Sequence, residues 1–306
     1  MRWKALFDDY LLYLKVERGL SANTLHAYSN DLERYLTFLQ KPDPYPTPDT
    51  PADITLDHLQ VFLIQLVEDF KLNDFSVARN IASLRSFHAY LELTNVVSHN
   101  PAQLLDLPKL HSKLPEILNV EEINAIISAC DTHDPLGLRN RAIIEMLYSS
   151  GLRVSELVNL KIPNVYPQEG FLRIIGKGDK ERLVPIGTLA LEYYNLYLTE
   201  VRNHQTIVKG SEDVVFLNRR GRHLTREMIL IMVKDTAQRA GISKTVSPHT
   251  FRHSFATHLI EAGADLIAVR DLLGHASIST TQIYLHTDVA QLRKVVDQYH
   301  PRKRNQ

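Results

Sequence analysis

Residues 247–253 read Ser247-Pro248-His249-Thr250-Phe251-Arg252-His253. Serine followed by proline predicts a helix start, because the hydroxyl accepts an orphan backbone N–H and proline in the first helical position needs no donor of its own. That helix should run to Gly263, with His249 and Arg252 three residues apart on one face. Beyond it come Leu273-Gly274-His275 and Tyr284. An imidazole, a guanidinium, a second imidazole and a phenol within one short segment suit attack by a phenolic oxygen on a phosphodiester. Phosphate needs fixed cationic donors, and the phenol must hand on its proton.

Two further cations lie upstream. Arg153 stands in Ser150-Gly151-Leu152-Arg153-Val154-Ser155-Glu156-Leu157, and Lys177 in Ile175-Gly176-Lys177-Gly178-Asp179-Lys180. In the order Arg, Lys, His-x-x-Arg, His, Tyr, the set resembles the tyrosine recombinases of the phage integrase family. The likeness spans nearly the whole chain. Leu20-Ser21-Ala22-Asn23-Thr24-Leu25-His26-Ala27-Tyr28 is similar to the start of that family's DNA-clamping N-terminal domain, and Tyr299-His300-Pro301-Arg302 to the ending of its Xer branch.

The chemistry of the residues can be argued independently of the likeness. Displacement at a phosphodiester builds charge on the non-bridging oxygens, and planar guanidiniums fixed beforehand stabilise it without reorganisation, which suits Arg153 and Arg252. A phenol titrates near about 10, so Tyr284 needs a base. His249 fits that role. His275 is better suited to orient or bond a non-bridging oxygen, and Lys177 to protonate the leaving 5′ oxygen. The sequence holds no phosphate-cradling Gly-x-x-x-x-Gly-Lys-Ser/Thr loop and no carboxylate group for paired magnesium ions, so neither cofactor nor metal is expected. Helical spacing of His249, His253 and His258 invites a zinc reading, but Arg252 would sit beside the ion and no cysteine is near.

Composition sets the frame. At 306 residues, with 44% hydrophobic and 23% charged, the chain reads as a soluble protein of about two domains. No run of about 18 apolar residues suggests a membrane span, and the start Met1-Arg2-Trp3-Lys4 has no secretory core, so a cytoplasmic location is expected. The lone Cys130 reads as a packed side chain. Charge balances at 35 basic and 35 acidic residues, but unevenly: residues 1–110 hold 10 basic and 14 acidic, and residues 111–306 hold 25 and 21. The positive excess accompanies the proposed chemistry.

Periodicity predicts helices through residues 1–100, with a turn at Gly19 and a stiff, proline-rich connector within residues 42–51. Helices are expected at Leu56–Phe70, Ser76–Leu93, Val120–Cys130 and Leu138–Ser149, the last ended by Gly151. Phe171–Ile175 and Glu181–Pro185 flank a glycine-rich turn and predict a hairpin with Lys177 at its tip. Val214–Leu217 is expected as another strand, followed by the basic turn Asn218-Arg219-Arg220-Gly221-Arg222. Thr225 should open a helix closed by Gly241, Asp265 a short one ended by Gly274, and two helices should follow at Ser279–His286 and Asp288–Tyr299. The predicted fold class is mainly α with a small antiparallel β-sheet in the C-terminal domain.

The resemblance implies more. Residues 1–110 would form a helical, SAM-like DNA-binding domain and residues 111–306 the catalytic domain, together a C-shaped clamp on duplex DNA. Thr24, Arg79 and Arg85 would be DNA contacts. It implies cleavage and rejoining through a 3′-phosphotyrosine and a Holliday junction, in a homotetramer or a heterotetramer with a sister recombinase. The terminal helix of each protomer would dock into its neighbour. The Xer branch implies resolution of chromosome dimers at cell division, under a septal DNA translocase. The rivals are a phage or mobile-element integrase or invertase, a type IB topoisomerase, and a catalytically silent DNA-binding protein.

Overall fold

The computed structural model describes residues 3–40, 48–108, 116–176, 181–274 and 287–302. The chain divides into two compact units, Met1–Lys113 and Leu114–Gln306. Among the described residues, four α-helices build the first: α1 (Trp3–Val16), α2 (Ala22–Leu39), α3 (Leu56–Glu68) and α4 (Asp74–Leu93). Polar caps start three of them, where the side chains of Ser21, Thr55 and Asn73 accept from the amides of Thr24, His58 and Ser76. Gly19 supplies the left-handed residue, φ +57°, that turns the chain between α1 and α2. Tyr10, Tyr35, Phe62 and Phe87 are fully buried between the helices, each such side chain contributing about 1.5–3 kcal/mol. Most of the proline-rich connector, residues 42–47, lies outside the described residues; Pro51 opens a single 3₁₀ turn to Asp53.

The second unit is built around one largely buried helix. Its helices are α5 (Val120–Ser128), α6 (Pro135–Ser150), α7 (Val154–Val158), α8 (Thr188–Glu200), α9 (Arg226–Arg239), α10 (Pro248–Glu261), α11 (Leu266–Leu273) and α12 (Thr287–Tyr299). Every residue of α6 from Ala142 to Ser150 is buried, and α5, α7, α8 and α10 pack around it. A helix segment buried on every side sits at the centre of its layer. A three-stranded antiparallel sheet lies beside it in the order β1 (Val165–Tyr166), β2 (Phe171–Ile175), β3 (Glu181–Pro185), with Leu172 opposite Val184 and Ile174 opposite Arg182. Mainly helical architecture with a small antiparallel sheet is therefore the fold.

Some details differ from the sequence reading. Val214–Leu217 is no strand: Val214 and Leu217 make only isolated bridges, to Lys161 and His223, because no neighbour runs beside them for a second pair. Neither α7 nor α8 was anticipated, and neither was β1. The terminal helix α12, placed at Asp288–Tyr299 from sequence, packs against β3, α10 and α11 of its own unit. There Val296 joins the core, while the His300 ring, also buried, lies 3.2 Å from the Tyr148 carbonyl oxygen. Arg302 forks onto the buried Glu145 carboxylate at 2.6 and 3.1 Å. Cys130 is buried and its thiol is pushed up to about 11 by that burial, in keeping with a packed side chain.

Candidate active site

α10 is positioned as its sequence dictates. The Ser247 hydroxyl accepts from the Thr250 amide, Pro248 occupies the first turn, and Gly263 follows the end with φ +99°. Arg252 projects from its first turns into the unit. It donates to the Gly151 carbonyl oxygen at 2.7 Å and to the Leu273 carbonyl oxygen at 2.6 Å. Both acceptors are helix ends: Gly151 caps α6 and Leu273 closes α11. The last carbonyls of a helix lack intrahelical partners and carry its negative dipole end, so two helix termini point partial negative charge at one guanidinium.

Arg153 reaches the same place from the other side. It precedes α7, its backbone amide donates to Glu156 Oε2 at 2.9 Å, and its guanidinium donates to Glu156 Oε1 at 3.1 Å and, more weakly at 3.5 Å, to the Gly274 carbonyl oxygen. The two arginines named from sequence thus converge on the α11 C-terminus. Burial and the neighbouring Arg153 lower the Arg252 pKa to about 10, which still leaves it charged at neutral pH.

A third arginine was not singled out from sequence. Arg182, on β3, forks onto Glu156 with both bonds at 2.8 Å. Its signal was legible in the alternation of β3: Arg182 is in phase with Val184 and opposite Ile174, so it faces inward among apolar residues. Glu156, 7% exposed, neutralises part of the cluster. Burial drives its carboxyl upward, but Arg182 and Arg153 outweigh that and hold it below the usual range. Gly274 is required where it stands. Its φ is +64°, and a Cβ there would lie 2.7 Å from Arg182 Nε.

His249 is exposed one helical turn before Arg252. Of the other α10 histidines, His253 is exposed, whereas His258 is buried with Nδ1 2.8 Å from the Tyr148 hydroxyl. Lys177, His275 and Tyr284 lie outside the described residues, as does the expected helix Ser279–His286. By connectivity Lys177 falls between β2 and β3, and His275 directly follows Gly274.

In the first unit, Thr24, Arg79 and Arg85 make bonds within the fold. The Thr24 hydroxyl lies 2.8 Å from that of Ser21. Arg79 donates to the Ala27 carbonyl oxygen at 3.0 Å and to the buried Asp31 carboxylate at 2.5 Å, joining α4 to α2. Arg85 donates to the carbonyl oxygens of Ala102 and Leu105 and holds the segment after α4.

Residues 116–291 match the model of the phage integrase family, more than half of the chain, and residues 7–95 match the family's N-terminal SAM-like domain. The chain belongs to the phage integrase family. Among curated relatives, Tyrosine recombinase XerD of Listeria innocua serovar 6a is 45% identical over 97% of this chain and 99% of its own. Tyrosine recombinase XerD of Staphylococcus aureus strain Mu50 is 40% identical over 98% and 99%. A crystal structure of XerH site-specific recombinase bound to difH substrate superposes with TM-score 0.67 at 26% identity, over 83% of this chain and 74% of that one. A lambda integrase (75–356) dimer bound to a COC′ core site gives TM-score 0.68 at 18% identity, over 93% and 100%, a likeness of fold. By class, this family member is a site-specific tyrosine recombinase.

Proposed function

We propose that the protein cleaves and rejoins duplex DNA at a specific site with Tyr284 as nucleophile. Arg153 and Arg252 bond the non-bridging oxygens of the scissile phosphate. The Tyr284 oxygen forms a bond to phosphorus, its proton passing to His249, while the bond to the 5′ oxygen breaks and Lys177 protonates that leaving group. His275 orients the phosphate. The 3′-phosphotyrosine conserves the phosphodiester linkage, so a free 5′ hydroxyl from another strand can reverse the step, through a Holliday junction, with no nucleotide or metal. The observation that supports this most directly is the convergence of Arg153 and Arg252 on the end of α11, with His275 next in the chain.

The Xer names of the relatives support a biological role in which a cytoplasmic tetramer, formed with itself or with a sister recombinase, resolves chromosome dimers at cell division under a septal DNA translocase. Residues 1–110 act as the DNA-binding domain, through Thr24, Arg79 and Arg85, and residues 111–306 as the catalytic domain. Among the described residues no helix is long and apolar enough to cross a membrane.

The test is covalent capture. Protein incubated with fragmented genomic DNA nicked at random should retain fragments by a bond that survives denaturation, and sequencing them gives the site and its polarity. Tyr284→Phe should retain none. An adduct persisting in that variant refutes the nucleophile, and fragments from a mobile element alone refute the chromosomal role. Relaxation of supercoils without exchange between two sites would indicate a topoisomerase.

A further inference from the structure

The Glu156 carboxylate is saturated. Oε1 accepts from the guanidiniums of Arg153 and Arg182, and Oε2 from the Arg153 amide and Arg182. A carboxylate offers about four acceptor positions, so none is left. Arg182 takes two of them in the bidentate fork that arginine and carboxylate prefer, while Arg153 contributes a single guanidinium bond at the longer distance of 3.1 Å. The exposures run in the same direction. The Arg153 side chain is 37% exposed and that of Arg182 is 19%, which places Arg153 at the surface of the cluster and Arg182 behind it.

We infer that Arg182 is a positioning residue which, by occupying the Glu156 carboxylate, keeps the Arg153 guanidinium from forking onto Glu156 and so leaves its donors free for a phosphate. The inference rests on the proposed role of Arg153 as a phosphate clamp. Without Arg182, a nearly buried carboxylate loses its main counter-charge and two hydrogen bonds. The nearest way to regain both is a fork to Arg153, one turn of chain away, and every donor drawn to Glu156 is lost to the substrate. Glu156 nevertheless has to be present when Arg182 is, because three guanidiniums would otherwise repel one another. The role therefore predicts a reversal that a purely structural part would not show: removing the carboxylate as well as Arg182 should restore function lost with Arg182 alone.

The experiment uses the full chain, the duplex site recovered by covalent capture, and Arg182→Gln, Glu156→Gln and the double variant. Single-turnover capture is measured on a nicked duplex at saturating protein, with either a normal phosphate or a charge-neutral methylphosphonate at the scissile position. Arg182→Gln should slow capture on the phosphate on the order of 10- to 100-fold, the effect of misplacing a group by about an ångström, while duplex affinity changes little. The double variant should be faster than Arg182→Gln, and the deficit should shrink on the methylphosphonate, which carries no charge for Arg153 to meet. Should Arg182→Gln unfold, the double variant, with no unpaired carboxylate, carries the test against Glu156→Gln. The assignment is overturned by wild-type rates in Arg182→Gln, by no recovery in the double variant, or by an equal deficit on both linkages. If wild-type protein itself forms no adduct, it is the recombinase reading that fails instead.

Discussion

Arg252 donates to the carbonyl oxygen of Gly151 at 2.7 Å, so the turn that ends α6 is also part of the seat of a proposed phosphate-binding side chain. Gly151 has φ +57°, and a Cβ there would stand 2.6 Å from the Phe255 ring of the next turn of α10. Gly151→Ala should therefore act twice. The left-handed backbone and the overpacking should together destabilise the unit by about 2–4 kcal/mol, read by urea unfolding. The displaced carbonyl should in addition slow covalent capture at temperatures where the variant remains folded.

Arg252→Lys separates charge from geometry. Lysine keeps the cation but cannot place donors on Gly151, Leu273 and a phosphate together, because its ammonium is one compact point. Capture should fall by about 10² or more, the usual consequence of losing a fixed donor at a developing oxyanion. Duplex binding, spread over many phosphate contacts, should change far less. Equal losses in both measurements would place Arg252 in binding rather than in chemistry.

How much of this was legible in the sequence depended on how local the cause was. Helix starts at Ser21, Thr225, Ser247 and Asp265 and ends at Gly151 and Gly274 are written in capping chemistry, and the hairpin in its β-rich flanks around glycines. α8 escaped because Gly187 starts it without a capping side chain and Leu189-Ala190-Leu191 with Tyr193, Tyr194 and Tyr197 blur its helical period. β1 is two residues long and exists only as a partner to β2. Within the site, Arg153 and Arg252 stood out by motif, whereas Arg182 was not singled out. Its importance comes from tertiary contact with Glu156 on α7, which spacing along the chain does not encode.

The tail makes a third prediction. Glu145 is 1% exposed and takes both ends of the Arg302 fork, with Arg141 3.9 Å away. Burial raises the Glu145 carboxyl above its ordinary range, Arg302 opposing. Arg302→Ala leaves that carboxylate nearly unpaired and should destabilise the protein by about 3 kcal/mol, less where Glu145 takes up a proton. Glu145→Gln in the same background should recover part of the loss in denaturant titrations. Truncation after Asp288 removes Arg302, His300 and Val296 together, so such a protein should lose stability.

His300 gives the tail a pH dependence of defined sign. Burial, with the Arg302 and His258 charges, lowers its pKa to about 4, although the Tyr148 carbonyl opposes the shift. Unfolded, the ring titrates near about 6.5. A depressed histidine pKa means that the unfolded tail binds the extra proton between these values, so docking is at full strength above about pH 6.5 and weakens as pH falls toward 4. At pH 5 the loss should be about 2 kcal/mol. Because His88 in the first unit is also depressed to about 4 by burial, a global melt would mix the two. Hydrogen exchange at the amides of residues 296–302, corrected for intrinsic rates, isolates the tail. Protection there should drop between pH 7 and pH 5 in wild type and stay nearly flat in His300→Asn, whose amide can still donate to Tyr148; an equal drop in both proteins would remove His300 as the cause.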